Sequence, residues 1–323
     1  MPRSRAAASL ALGLALVCAC VSFATSPARA AGVPRFGHVF LIVGENTSYE
    51  QITPAHAPFL TGTLRPQGAW LSNDHSFTKS SSLGQYIAML SGQYTKCEAN
   101  NDVPDHCHQR VGNLFSQLAA THRSWRDWEE SMTNPCDPVD DGAAWARNIY
   151  SAHHNPALYF TQIQGGRVDE AITPAAPCRA FDLPMGSTAP DDTTGFDNAL
   201  AVGDVGNLNV VVPNDCENGH DPCGTHDPVR QFDDFLAREV PRIETSPAFD
   251  ARSVILITWD EGADPPHRPG HVLTVALGPL VRAGATDATR HDHYGLERTL
   301  AAGFGLPALR HARTASPITS IWR

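Results

Sequence analysis

Three clusters of polar residues in this chain directly follow apolar runs and carry side chains able to do chemistry. Gly44-Glu45-Asn46 follows the run 38–43 (HVFLIV). Pro213-Asn214-Asp215 follows 207–212 (NLNVVV), with His220-Asp221 shortly beyond, and Asp260-Glu261-Gly262 follows 253–259 (SVILITW). The runs are rich in β-branched and aromatic residues and read as buried strands, as does 272–277 (VLTVAL). In open α/β sheets ligand sites gather beyond the carboxyl ends of strands, so three such ends can converge on one point. Taken singly, each cluster is also ordinary turn and helix-cap chemistry. A fourth segment supplies a hydroxyl nucleophile. Residues 79–92 (KSSSLGQYIAMLSG) read as a polar turn opening a helix. Ser82 then sits near a helix N-terminus, where free N–H groups and the helix dipole favour a phosphate. Ser81 or Ser82 as a plain N-cap is the competing reading.

The elements that must position these residues alternate between strand and helix patterns, which argues for an α/β sandwich rather than an all-β domain. Between the second and third runs, 228–243 places Phe232, Phe235, Leu236, Val240 and Ile243 on one helical face. A further helix fits 294–302. Residues 130–205 are rich in Pro, Gly, Asp and Thr and are expected to be mostly loop. No repeat and no Ser/Gly linker divides the chain, so residues 31–323 read as a single domain. At 323 residues, 42% hydrophobic and 18% charged, the chain has the length and composition of a folded globular protein. Its net charge is −10 and it has no Lys/Arg block, which excludes a basic nucleic-acid-binding face.

The first thirty residues read as a secretion signal. Arg3 and Arg5 precede an apolar run from Leu10 to Ala24, too short to span a bilayer comfortably, and Ala28-Arg29-Ala30 is a small-x-small cleavage pattern. A retained anchor and a lipobox-like Cys20 are the alternatives. Cleavage after Ala30 leaves 21 basic against 34 acidic residues, a net −13. No later stretch is long and apolar enough to cross a membrane. Export also suits the cysteines: Cys97, Cys107, Cys136, Cys178, Cys216 and Cys223 remain, an even number in an oxidising compartment. Of the 15 connectivities, pairing of sequence neighbours (97–107, 136–178, 216–223) is the expectation. A zinc site is disfavoured because the chain has no CxxC pair.

Read in order, the motifs resemble one family. Glu45-Asn46-Thr47-Ser48 resembles the E-N-x-S start of the phosphoesterase family that joins bacterial phospholipases C and acid phosphatases. Ser82-x-x-Gln85-Tyr86-x-Ala88-x-x-Ser91-Gly92 resembles its S-x-P-N-Y-x-A-L-x-S-G segment, and His154-Asn155-Pro156 its K-H-N-P turn. Pro213-Asn214 with His220-Asp221 resembles its P-N…H-D loop, Thr258-Trp259-Asp260-Glu261 its T-W-D-E, and His293-Tyr294 with Thr299-Leu300 its closing helix. The ending Pro317-Ile318-Thr319-Ser320-Ile321-Trp322 is similar to that of short secreted actinobacterial acid phosphatases. The resemblance implies a three-layer α/β/α sandwich similar to alkaline phosphatase, with a central, mostly parallel sheet.

It also implies one divalent metal held by Glu45, Asn46, Asp260 and Glu261, with Ser82 as the attacking hydroxyl. Three carboxylates and an amide oxygen are hard ligands suited to Ca, Mg or Mn and acceptable to Zn. A cation there would lower the serine pKa and neutralise phosphate charge. The histidines of a second ion site are present without its full ligand set. His220 and His293 are therefore expected to bind phosphate and protonate the leaving oxygen, and His154, Gln85, Asn214 and Asp215 to contact the substrate. Of fifteen histidines, His220 ranks first because Cys216 and Cys223 bracket its loop, then His293, then His154; His153, His267, His271 and His291 have no motif reason to be chosen. Where the family reads H-P-S-x-P-N, this chain reads Ser80-Ser81-Ser82-Leu83-Gly84-Gln85. The prolines and the histidine are missing, Gln replaces Asn, and Ser81 is the alternative nucleophile. The expected activity is hydrolysis of phosphate monoesters on a small molecule or lipid headgroup, with no nucleic-acid partner and no stable membrane insertion. The alternatives are a phospholipase C-type diesterase and a weakened phosphate- or metal-binding homologue.

Overall fold

A computed structural model describes Met1 and residues 32–77, 81–94, 101–140, 149–166, 175–189, 191–223, 226–262 and 270–323. The expected signal (apart from Met1), Ser80, Cys97 and His267 lie outside the described residues. In chain order the elements are β1 (Val39–Gly44), α1 (Arg65–Gln67), β2 (Ala69–His75), α2 (Ser82–Ser91), α3 (Leu114–Ala120), β3 (Trp125–Glu129), α4 (Thr161–Gln164), α5 (Ala176–Phe181) and β4 (Asp182–Pro184). They continue with α6 (Thr194–Val202), β5 (Leu208–Val212), α7 (Pro228–Thr245), β6 (Val254–Trp259), β7 (His271–Leu277), β8 (Ala285–Asp287), β9 (His291–Asp292) and α8 (His293–Phe304).

The strands form one sheet in the order β4-β3-β5-β1-β6-β7-β2-β8, with β9 on β2. From β4 to β6 every pairing is parallel, whereas β7 runs antiparallel to both β6 and β2. The runs expected as strands are continuous in hydrophobicity because both faces are covered. In β1, Val39, Leu41 and Val43 pack with Leu83, Tyr86 and Ile87 of α2 and Leu296 and Leu300 of α8. Phe40 and Ile42 pack on the opposite side with Phe196 of α6 and Phe232 and Leu236 of α7. Two cores on two faces of one sheet make the three layers. Each fully buried aliphatic or aromatic side chain contributes about 1.5–3 kcal/mol relative to exposure. Gly44, at the end of β1, has no room for a side chain: a Cβ would lie 2.6 Å from Trp259 Nε1 and 2.8 Å from the Phe232 ring.

Two strands depart from the sequence reading. The string Trp125-Arg126-Asp127-Trp128-Glu129 looks polar yet forms β3, with Asp127 and Glu129 buried. β2 likewise ends on polar residues. The described part of 130–205 is mostly loop, as expected, and carries the short elements α4, α5, β4 and α6. The disulfides Cys136–Cys178 and Cys216–Cys223 form as expected. Cys107 is also disulfide-bonded, and Cys97, its expected partner, lies outside the described residues.

Candidate active site

Because β5, β1 and β6 are parallel neighbours, their carboxyl ends deliver Asn214-Asp215, Glu45-Asn46 and Asp260-Glu261 to one edge of the sheet. Helix α2 starts at the same edge. Ser82 is its first residue, 3% exposed, and its hydroxyl donates to Glu45 Oε2 at 2.9 Å. Ser81 is the N-cap and turns away: its Oγ accepts from Asn101 N at 3.2 Å. The register of the serine run is thereby set, with Ser82 facing the carboxylates. Asn101 replaces the missing prolines as the support of this turn, since its Oδ1 accepts from Leu83 N at 3.0 Å.

Asn46 takes a left-handed backbone (φ 42), a conformation asparagine tolerates better than most residues. Its N–H donates to Asp260 Oδ1 at 3.0 Å and its amide Nδ2 lies 3.5 Å from Glu45 Oε2. Glu45 and Asp260 are fully buried side by side. Burial, and after it the charge of Asp260, holds the Glu45 carboxyl well above the ordinary carboxylate range. Burial raises Asp260 as well, and burial with the Asp260 charge pushes Glu261 to about 9. Tyr86, one turn along α2 from Ser82, is kept protonated by burial and the charges of Glu45 and Asp260.

Glu45 Oε1 and Asp260 Oδ2 are buried with no hydrogen-bond partner. Orphaned hard oxygens crowded by like charge are what a divalent cation relieves, so Glu45, Asn46 and Asp260 fit one. Among the described residues, the one grouping of three ligating side chains within 4.8 Å is Cys136, Cys178 and Asp182, whose sulfurs are joined in the disulfide. Glu261 therefore stands wider of Glu45 and Asp260 than a closed three-carboxylate cage.

Of the three candidate histidines, His154, ranked last from sequence, is the one that shares a carboxylate oxygen with the serine. Its Nε2 is 3.5 Å from Glu45 Oε2, the oxygen that Ser82 also contacts, and its Nδ1 is 3.2 Å from Asp215 Oδ1. Asp215 Oδ2 accepts from Ser151 Oγ at 2.6 Å. Burial alone would raise Asp215, but the hydrogen bond and charge of His154 outweigh it and hold this carboxyl below the ordinary range. Asp215, expected to touch substrate, is thus engaged with the histidine.

Three other expected contacts are also redirected. Asn214 spends its polar atoms on loop residues around it: Nδ2 donates to Ser131 Oγ after β3, and Oδ1 accepts from the backbone of Cys216 and Glu217. The Gln85 Oε1 accepts from Phe77 N at 3.2 Å, so the longer amide braces the chain before the serine turn. His293 Nε2 donates to the Asp260 backbone carbonyl at 2.5 Å, leaving Nδ1 buried and unpartnered. His220 stays at the rim, its side chain 44% exposed and its Nδ1 on Asp221. Sequence reasoning passed over His153, whose ring centroid is 4.1 Å from that of His154 and whose pKa is lowered to about 3, chiefly by burial and then by His154. It also passed over Asp74, buried against His293. Only the adjacency of His153 to the H-N-P turn could have signalled the first, and nothing local the second.

Comparison with known proteins gives the family. A 26% identical protein, covering 91% of this chain and 85% of its own length, is a phosphatidylinositol-3-phosphatase of Mycobacterium tuberculosis. A phosphate-repressible acid phosphatase of Penicillium chrysogenum is 24% identical over 85% of this chain and 60% of its own. Among solved structures, a protein of the alkaline phosphatase superfamily from Vibrio parahaemolyticus superposes with a TM-score of 0.59, over 88% of this chain and 70% of that one. At 10% identity this speaks to the fold alone. Residues 53–307 match the phosphoesterase family, a span that includes Ser82, His154, Asp215 and Asp260 and begins just after Glu45-Asn46. The chain belongs to the phosphoesterase family, hydrolases that act on phosphoric esters.

Proposed function

We propose that this chain is a secreted, metal-assisted phosphomonoesterase, a single domain over 31–323, that works through a phosphoserine on Ser82. The observation that carries this is the Ser82 hydroxyl at the head of α2, 2.9 Å from a buried carboxylate and beside His154. Glu45, Asn46 and Asp260, with Glu261 at their edge, would hold one divalent ion, which supplies Lewis-acid neutralisation of phosphoryl charge and a more acidic serine hydroxyl. Ser82 Oγ is aligned by Glu45 Oε2, which takes the direction of its proton and leaves the oxygen lone pairs toward an incoming phosphorus. The N–H groups at the start of α2 and the helix dipole favour the phosphoryl oxygens. His154, oriented through Nδ1 by Asp215, presents Nε2 to the same space and stabilises charge that builds on those oxygens. His220, the exposed histidine, is assigned to protonate the leaving oxygen.

The names of the two curated relatives support a monoester, and an inositol phosphate monoester is the first substrate class to try. Two disulfides and the apolar, Arg-led N-terminal sequence support secretion. The test is hydrolysis of a chromogenic phosphate monoester and of the matching diester from about pH 4 to 9, with and without EDTA. Wild type, Ser82→Ala and Ser81→Ala would be compared. Monoester turnover lost in Ser82→Ala, kept in Ser81→Ala and reduced by chelator is the expected result. Loss in Ser81→Ala alone, or a faster diester, would overturn the reading.

A further inference from the structure

The segment that carries His154 rests on a pair of carboxyls that the proposed chemistry leaves unused. Asp127 of β3 and Asp182 of β4 are direct register partners on adjacent parallel strands, and both are fully buried. Residues 155–157 lie against them. Asn155 Nδ2 donates to Asp182 Oδ1 at 2.9 Å, and Ala157 N donates to Asp127 Oδ2 at 3.2 Å. The residue just before this turn is His154, whose Nε2 faces Glu45. We propose that Asp127 and Asp182 are a positioning pair: as uncharged carboxyls they clasp the 155–157 turn and thereby aim His154, and loss of a proton from the pair loosens that aim. The inference rests on the reading that His154 acts on the phosphoryl group.

The surroundings require the pair to stay uncharged near neutrality. Asp127 is faced by Asp182 and, two residues along its strand, by Glu129; Asp182 is faced by Asp137 and Tyr150, and by the Cys136–Cys178 disulfide beside it. Beyond Glu129 stands Asp215. Among the described residues no basic side chain bears on either carboxyl of the pair. Asp127 Oδ1, Glu129 Oε1 and Asn155 Oδ1 are buried without any partner, so no donor network would receive a second negative charge. Burial, reinforced by Asp182, raises Asp127 well above the ordinary range; burial raises Asp182 to about 8, against the hydrogen bond from Asn155. The first unfavourable ionisation therefore falls on the alkaline side of neutrality. There, Asp182 would carry a fully buried charge beside Asp137, with no cation among the described residues to balance it, at the base of the His154 turn.

The test uses Asp127→Asn and Asp182→Asn, which keep an acceptor oxygen and cannot ionise, and Asp182→Ala, which removes the acceptor. Two quantities are read across about pH 5 to 9: kcat/KM on a chromogenic monoester, and the thermal midpoint. In wild type kcat/KM should fall on the alkaline limb, and the double Asn variant should retain about fivefold or more of the activity wild type loses there. Its midpoint advantage should widen as pH rises, because a proton held by the folded state alone costs stability with increasing pH. Asp182→Ala should lose about tenfold or more in kcat/KM at pH 6, with Asp182→Asn restoring it. Superimposable alkaline limbs, or Asp182→Ala as active as wild type, would overturn the proposal. An inactive wild type would instead sink the reading of the site. The midpoint series would then still decide the pair, which a pH-independent gap refutes.

Discussion

Replacing Asp215 by Asn tests whether His154 is aimed by its carboxylate. Both Asp215 oxygens now accept: Oδ1 from His154 Nδ1 at 3.2 Å and from Asn218 Nδ2 at 3.3 Å, and Oδ2 from Ser151 Oγ at 2.6 Å. An amide of the same shape puts an NH2 group in one of those places. Facing His154 and Asn218, it meets two donors, so His154 must move its proton to Nε2 or lose the contact. Facing Ser151, it is tolerated, because a hydroxyl can reverse its role, but the bond to His154 then lacks the carboxylate charge. The fold should survive either way, since the Asp215 backbone stays bonded to Ile149 O at 2.9 Å. A hydrogen bond to a charged group contributes about 1.5–3 kcal/mol. If all of that is spent on orienting His154 in the transition state, kcat/KM falls roughly 10- to 150-fold at about 1.36 kcal/mol per decade. The assay is steady-state hydrolysis of a chromogenic monoester beside a thermal melt. A fall in kcat/KM carried by kcat, at an unchanged midpoint, is expected. A rise in KM alone would place His154 in ground-state binding. An intact variant within about threefold of wild type would refute the claim that Asp215 serves the histidine.

Divalent ions should raise the thermal midpoint of wild type, by about 2.7 kcal/mol of stability at a hundred times Kd. They should leave the Glu45→Gln midpoint unmoved, because that variant loses the buried oxygen at the centre of the set; equal shifts in both would place the ion elsewhere. Glu297 of α8 is buried, with one oxygen on Leu309 N at 3.1 Å and the other unpartnered, and burial raises it to about 8. The folded state thus keeps a proton that the unfolded chain releases near about 4.3, and stability declines as pH climbs between those values. Glu297→Gln should therefore gain on wild type steadily from about pH 5 to 8, and a gap in midpoints that stays constant would contradict this.

The parallel core of the sheet was legible because its strands are buried on both faces, so hydrophobicity alone marks them within a residue or so. The carboxylates at their ends were legible for the same reason: a polar residue after such a run must emerge at the sheet edge. β3 was not, since two of its four buried positions are Asp127 and Glu129. Burial of acids on a strand depends on turn donors such as Asn155 and Ala157, which lie about thirty residues away in the chain and cannot be weighed from local pattern. The serine turn shows a milder form of the problem. Ser80-Ser81-Ser82 is degenerate as a string, and its register is set by Asn101, a residue of no motif, whose backbone N–H takes up the Ser81 hydroxyl and leaves Ser82 to Glu45.

The histidines separate motif from mechanism most sharply. His220 lies in the better bracketed loop, and the Cys216–Cys223 bridge does form, yet a bridge fixes a loop without turning a side chain inward. His154 had only a three-residue turn to recommend it. The place proposed for it rests on two different parts of the chain: Asp215 beyond β5 grips Nδ1, while Asp182 and Asp127 accept from the Asn155 side chain and the Ala157 backbone that follow. Neither grip is a property of residues 153–156 themselves. Orientation of a catalytic side chain to within about an ångström comes from such distant partners. A motif can therefore name the residue types of a site while the partners that aim them are supplied by the fold.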